Sequence, residues 1–502
     1  MPLIPLTGID SGPAAVSMCM GFVFSLPEFT SPADRNALVR RLETSAERVV
    51  RKWPLLAGKP VWQDERWVID VPSDLDTLNR PLVQFTTTVL SEPYHIAASV
   101  PDASFSLSTS RSGILPQPRP SLFRAPNFPV SLADHATRNL PLLNLHVTQC
   151  ADALCVGVLL SHGLFDGTGL GLVLRALDAE LHGKSDSWTA PPMAEVNPLA
   201  TQLAALVDNS DPALAGADAE RTDPPVFKWS WRMPTLGGTL RFVASMVWEK
   251  VWWKSEARWL FLRNETVKYL VESTKREVKQ LTDGKEYVST GDVLAAWAIK
   301  AAHSDESTSR SCVSPAALFS ARALLSPSLT SYPHGAAFPY SLFPTPLPLR
   351  TLAQTSTASL ALTMRRQLVA NATLANLRHI QVRSGGAALV PVRDWPGAAL
   401  FLPWRWWRRP HVHRWLASNQ TALGMASLAL PSPSSAGEET DLPLRAYYLL
   451  GEGPVEVDGV LPFQQTAAGV TSSATMRRSR WESLRRRVEE LEREAEAAKK
   501  AE

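Results

Sequence analysis

A mixed α/β fold of the α+β type is predicted by three segments whose hydrophobic periods differ. Leu38, Val39, Leu42, Ala46, Val49 and Val50 recur at helical spacing. Leu143 to Leu160 alternates with the period of two that marks strands. Leu170, Val173, Leu174, Leu177 and Leu181 return to one helical stripe. The chain has 502 residues, which sets a soft prior of about three domains at roughly 150 residues each. It is 45% hydrophobic and 20% charged, so disorder throughout is excluded. The net charge of +3 gives no global footprint for nucleic acid. Forty prolines suggest long, turn-rich connections, and seventeen tryptophans ask for an explanation.

The first helix starts at Ser31-Pro32, an N-cap followed by proline at the first helical position. It stops at Trp53-Pro54, because proline disfavours helical geometry in the residue before it. Leu55 to Gly58 reads as a buried turn, and Val61-Trp62 with Trp67 to Ile69 as a hairpin around Asp64-Glu65. Residues 100–130, rich in Ser, Pro and Arg, read as a surface loop. Leu143, Leu145 and Val147 form one strand; after a turn near Asp152, Leu154 to Leu160 form a second that is apolar on both faces. That strand ends at Ser161-His162, and the leucine-striped helix follows. The polar, Pro- and Ala-rich stretch from about 186 to 226 suggests a crossover between domains. A second block begins near 229, where Ser289 to Asp292 starts a helix over Val293 to Ala302. Residues 323–350 are proline-rich. From Met476 the chain carries mixed charges with Leu484, Val488 and Leu491 at helical spacing, which predicts an exposed terminal helix with a frayed end.

Four cysteines, Cys19, Cys150, Cys155 and Cys312, are too few and too scattered for a disulfide scaffold or a Cys-based zinc site. Cys150 and Cys155 read as reduced thiols in neighbouring strands. No signal peptide and no run of about 18 uncharged apolar residues is visible, so a reduced, soluble, cytoplasmic protein is expected. Neither a phosphate-cradling loop nor a dinucleotide fingerprint occurs, and Gly167-x-Gly169-x-Gly171 has the wrong spacing for one.

Ser161-His162-Gly163-Leu164-Phe165-Asp166-Gly167 carries the chemistry. A histidine at the end of a buried strand can take a proton from a hydroxyl or amine as that group attacks an electrophile. The competing reading makes His162 a hydrogen-bonded core histidine and Asp166 the N-cap of the next helix; spacing alone leaves the two about even.

The segment and its surroundings resemble the BAHD-type acyltransferases, especially the fungal branch near the trichothecene acetyltransferases. These lie within the superfamily of chloramphenicol acetyltransferase and peptide-synthetase condensation domains. His162 to Gly167 matches the family's H-x-x-x-D-G, and Trp53 to Gly58 its P-L-L-A-G-R stop, with Lys59 for arginine. Ser289 to Trp297 is similar to its second-domain helix start, and Ala321 to Pro327 to R-x-R-L-x-P, with Leu324 for the second arginine. The matches run in family order from about 20 to 475. The family's D-F-G-W-G has no match; its counterpart by spacing, Ser427 to Leu430, keeps neither the aspartate nor the glycines.

The resemblance implies two chloramphenicol-acetyltransferase-like domains, each a mixed β-sheet flanked by helices, with a tunnel between them. The expected division is 1–190, a crossover at 191–228, 229–475, and a charged terminal helix at 476–502. It implies that His162 is a general base, that Asp166 turns away to pair with Arg322, and that Gly167 keeps a channel open. A donor near Ser418 or Asn419 would meet the oxyanion. The implied co-substrate is an acyl-CoA and the acceptor a small hydroxylated metabolite, with no permanent cofactor, no metal and a monomeric chain. A non-catalytic, ligand-binding member of the fold is the alternative, and carrier-dependent condensation a third, weakened by Ser161 where those domains have a first histidine.

Six tryptophans between 229 and 259 lie among Lys and Arg and read as a packed crossover rather than an interfacial membrane element. Trp404, Trp406 and Trp407 with Arg405, Arg408 and Arg409 read as an acceptor pocket or CoA-phosphate patch, or as a self-packed loop. His411 and His413 read as a surface pair, and His146 and His182 as structural.

Overall fold

The computed structural model describes residues 3–6, 16–28, 30–64, 66–100, 105–108, 110–191, 198–208, 251, 254–306, 311–330, 332–378, 412–419, 428–432, 440–452 and 460–501. The first helix, α1 (Pro32–Lys52), begins as its sequence requires: the Ser31 hydroxyl accepts from Asp34 N–H, and Pro32 sits in the first turn. The hairpin of β3 (Lys59–Gln63) and β4 (Arg66–Asp70) sets Trp62 opposite Trp67, with β1 (Leu3–Pro5) on its outer edge.

The sheet that carries the site has five strands. β8 (Ala153–Ser161) lies in its middle, between β2 (Ser17–Ser25) and β7 (Asn144–Gln149), and every residue of β7 and β8 is buried. β5 (Gln84–Val89) closes one edge in parallel with β7, and β14 (Leu444–Glu452) the other. Met20, Phe22, Val156 and Val158 pack on one face against α1 and the leucine stripe of α3 (Gly167–Leu181); the short α2 (Leu132–Arg138) lies between them in sequence.

The second sheet runs β11 (Ala337–Ser341), β10 (Cys312–Ser320), β13 (Val412–Asn419), β15 (Val460–Gln465), β16 (Gly469–Arg477), β9 (Ser255–Arg263) and β6 (Gly113–Pro116), with β12 (Leu347–Pro348) also on β10. The core on its outer face includes α4 (Asn264–Leu281), α5 (Thr290–Ala302), α6 (Thr357–Asn371) and α7 (Arg478–Ala501), together with the shorter helices Pro198–Asp208 and Leu349–Gln354. The long helices of each sheet thus lie on one face. The other faces meet in a third cluster, where Cys19, Cys155 and Tyr448 of the first sheet join Trp259 and Phe261 of the second. Trp259 stands 5.0 Å from the Tyr448 ring and is fully buried, so this tryptophan belongs to the packed reading of its cluster. Trp229, Trp231, Trp248, Trp252, Trp253, Trp404, Trp406, Trp407 and His411 lie outside the described residues.

Two findings differ from the sequence reading. Residues 113–116, expected as loop, form β6 on the edge of β9, and β14 from the C-terminal half completes the first sheet, so strands cross the division at 190 and 229 in both directions. Pairing between segments this far apart leaves no local period to read. The terminal helix, expected as exposed, buries Trp481, Leu484, Val488 and Leu491. Trp481 Nε1 donates to the Glu256 carbonyl at 2.9 Å, and Arg263 pairs with Glu492 at 2.7 Å. All four cysteines are free thiols.

Candidate active site

β2 and β8 pair in unbroken register up to Ser17 and Ser161, and His162 N–H extends the ladder by one bond to Val16 O at 2.9 Å. The strand then turns. Leu164 and Phe165 N–H groups both donate to Ser161 O, at 3.2 and 3.1 Å, and reverse the chain into α3. His162 is half-buried at this corner. Its Nδ1 lies 3.1 Å from the Phe165 carbonyl. A carbonyl can only accept, so the proton sits on Nδ1 and the lone pair on Nε2. Nε2 has no hydrogen-bond partner among the described residues. The ring is oriented, in the right tautomer and open at one nitrogen, as a general base requires.

Asp166 is both the N-cap of α3 and an ion-pair partner, so it carries the cap of one reading and the Arg322 pairing of the other. Its Oδ1 accepts from Thr168 N–H at 3.0 Å and Gly169 N–H at 3.2 Å. Arg322, on a short helical turn (Arg322–Leu325) after β10, meets both carboxylate oxygens at 2.8 Å. Ala336 N–H adds a bond to Oδ2 at 3.3 Å. The other guanidinium hydrogens go to Tyr332 O at 2.8 Å, Ser320 Oγ at 3.2 Å and His334 O at 2.5 Å. All five donors of Arg322 are thereby engaged within the protein. Neither group has capacity left for a substrate. Arg322 is 3% exposed and Asp166 8%. A buried pair satisfied on every side is a structural clamp, and it joins the turn after β8 to the segment after β10.

The clamp is tight because Gly169 lets it close. A Cβ there would stand 2.0 Å from the Pro333 carbonyl, so only glycine allows α3 this close to residues 332–336. His334 from the same segment places its Nδ1 3.0 Å from Leu164 O, and its ring 6.0 Å from the Phe165 ring. Burial is the main cause that pushes its pKa down to about 4, which keeps it neutral. Sequence reading missed His334. Its Pro-His-Gly setting, twelve residues after Arg322, is the signal that could have found it.

Ser418 and Asn419 close β13, in parallel register with Pro462 and Phe463; their side chains lie outside the described residues. Gly167 is the first residue of α3. Of the stretch without D-F-G-W-G, Ser427 is outside the described residues, whereas Leu428 and Leu430 are buried in the helix-side core. Ala429 N–H donates to Asp178 at 2.8 Å, twelve residues along α3 from Asp166 and about 18 Å away at the helical rise. His146 bridges Thr86 and Thr148, and His182 Nε2 meets Asp441 at 2.9 Å. Among the described residues no group of three His, Cys, Asp or Glu could hold a metal, and no helix is long and apolar enough to cross a membrane.

Two mixed sheets, each with long helices on its outer face, share the two-domain chloramphenicol-acetyltransferase-like fold. TRI101 of F. sporotrichioides, solved with coenzyme A and T-2, superposes with a TM-score of 0.61 over 95% of this chain and 96% of that one, at 15% identity. In sequence, the chain is 30% identical over 177 residues to the O-acyltransferase pboC of Aspergillus ustus, which is 35% of this chain and 34% of that protein. It is 26% identical over 268 residues to the O-acetyltransferase PaAT-2 of Phomopsis amygdali, 50% and 51% of the two chains. The chain thus spans between a third and a half of the length of these curated relatives. No protein-family model matches it. The resemblance to fungal acyltransferases of BAHD type therefore stands on the fold and on these relatives.

Proposed function

We propose that this chain is an acyl-CoA-dependent O-acyltransferase that moves an acyl group, in the first instance acetyl, to a hydroxyl of a small secondary metabolite such as a terpenoid or polyketide. The observation that carries this reading is His162, half-buried at a strand end with Nδ1–H on Phe165 O and Nε2 unengaged. Nε2 takes the acceptor O–H proton as the oxygen bonds to the thioester carbonyl carbon. The tetrahedral intermediate collapses with loss of the C–S bond, and the departing thiolate takes the proton back from Nε2. The products are the ester and free CoA. Holding both substrates against one imidazole removes much of the entropic barrier.

In this reading Asp166 and Arg322 shape the turn, Gly167 keeps the approach to His162 open, and the Ser418 hydroxyl or Asn419 amide donates to the oxyanion. No permanent cofactor and no metal takes part, and the enzyme works as a cytoplasmic monomer of two lobes joined through 191–228. The relatives' names and the coenzyme A held by TRI101 support the choice of donor. A ligand-binding protein without catalysis is the second reading, favoured by the loss of D-F-G-W-G at Ser427 to Leu430.

One experiment separates them. The protein is incubated with acetyl-CoA or longer acyl-CoAs and a panel of terpenoid and polyketide alcohols, and CoA release is followed. Acceptor-dependent release that falls roughly 100-fold or more in His162→Ala is expected. Normal turnover by the alanine variant overturns the base, and no release under any condition favours the binding protein.

A further inference from the structure

We propose that His334 is a positioning residue for His162: by donating to the Leu164 carbonyl and packing on Phe165, it fixes the tautomer of the base from the other half of the chain. The role in turnover rests on the acyltransfer reading above, but the geometry does not.

The base needs its proton on Nδ1, and the Phe165 carbonyl at 3.1 Å is what holds it there. A carbonyl in a five-residue turn stays in place only if its own peptide does. Two observations show what holds it. The Phe165 ring is fully buried between Trp53, edge-on at 6.0 Å, and His334 at 6.0 Å. The preceding peptide unit is gripped at both ends: Leu164 O accepts from His334 Nδ1 at 3.0 Å, and Phe165 N–H donates to Ser161 O at 3.1 Å. Donation to a peptide oxygen polarises that peptide and strengthens the bond made by its N–H. The two histidines therefore sit on consecutive carbonyls, His334 on Leu164 and His162 on Phe165.

His334 is suited to the task. It is 3% exposed, and an imidazole facing a carbonyl must carry its proton on the facing nitrogen. Arg322 lies beside it and donates to its backbone carbonyl, while Asp166 binds Arg322, so the charges facing it are paired with each other. Tyr332 packs edge-on against its other side at 5.0 Å. Asp166 cannot perform this role, because its oxygens already serve Arg322, Thr168, Gly169 and Ala336.

The test is long-range proton–nitrogen correlation spectroscopy on 15N-histidine-labelled protein without substrate, with His162 assigned by its absence in His162→Gln. In the unaltered protein His334 is expected as the neutral Nδ1–H tautomer from pH 5.5 to 8, and His162, when neutral, as Nδ1–H. In His334→Leu, His162 should become a mixture with a substantial Nε2–H population, whereas His334→Gln, whose amide can still donate, should restore part of the Nδ1–H state. Turnover should follow, with kcat lower by roughly 10- to 100-fold in the leucine variant and KM for acyl-CoA within about twofold. A titrating or Nε2–H His334 in the unaltered protein overturns the proposal, as does a folded leucine variant that keeps His162 wholly Nδ1–H. If no preparation transfers acyl groups, the acyltransfer reading fails while the tautomer measurement still decides this one.

Discussion

Two helix starts use the same acidic device to different ends. At α5, Ser289 and Asp292 form a capping box: the Asp292 carboxylate accepts from Ser289 N–H at 2.8 Å, and Asp292 N–H donates to Ser289 Oγ at 3.3 Å. At α3, Asp166 caps the helix through Thr168 and Gly169 and also receives Arg322 from 156 residues away. Both aspartates are 8% exposed. The first is solved locally, by residues three apart, with Arg365 only at 3.8 Å. The second is solved across the fold, and the turn bearing His162 is what it holds. A cap of the second kind ties the corner bearing His162 to a distant segment, so its loss reaches beyond its own helix.

The largest break in this comparison is Arg322→Ala. It leaves the Asp166 carboxylate buried without its partner, and a loss of about 3–5 kcal/mol in urea unfolding is expected, with most of the protein insoluble. Asp166→Asn should act in the same direction. A folded Asn variant that loses only proton transfer would contradict the clamp.

Acid should destabilise the fold through its buried histidines. Burial is the main cause that pushes His334 down to about 4 from an ordinary 6.5, and the same holds for His303 under α7. Between pH 6.5 and about 4 the unfolded chain binds protons that these imidazoles refuse, so stability falls as pH falls, by roughly 3 kcal/mol for each. Below that window a carboxylate takes over. Burial alone would raise Glu306, but the His303 hydrogen bond and Arg480 outweigh it and hold it at about 2. Its contribution is present above 4.5 and disappears as pH falls through 2. Urea midpoints against pH check both windows, and His334→Leu should flatten the first.

A smaller effect is expected from Gly169→Ala. Helix propensity alone favours alanine by about 1 kcal/mol. The 2.0 Å approach of the Pro333 carbonyl should reverse the sign and destabilise by about 1–3 kcal/mol in thermal melts. The smallest change belongs to the local cap: Ser289→Ala should cost about 1 kcal/mol and leave acyl transfer unchanged.

Much of the first sheet and its helices is legible in the residues alone. The period at Leu38 to Val50, the Trp53-Pro54 stop and the two-faced apolar run at Leu154 to Leu160 are local signals, and each produced its element. The places of β6 and β14 were not legible, because each pairs with a strand more than a hundred residues away, and the four residues of β6 are too few to show a period. The terminal helix was legible as a helix but not as a buried one. Its charged residues outnumber its apolar stripe, and only the pocket for Trp481 shows which side faces in.

The same boundary runs through the site. That a histidine ends a buried strand and an aspartate opens the next helix is readable from the residues alone, since strand alternation and capping chemistry act within a few residues. The full engagement of the Arg322 donors and the seat of His334 on the carbonyl before Phe165 are visible only once the chain is folded. Both depend on ångström-scale contacts between the turn after β8 and residues 322–336, and no local pattern of side chains encodes them.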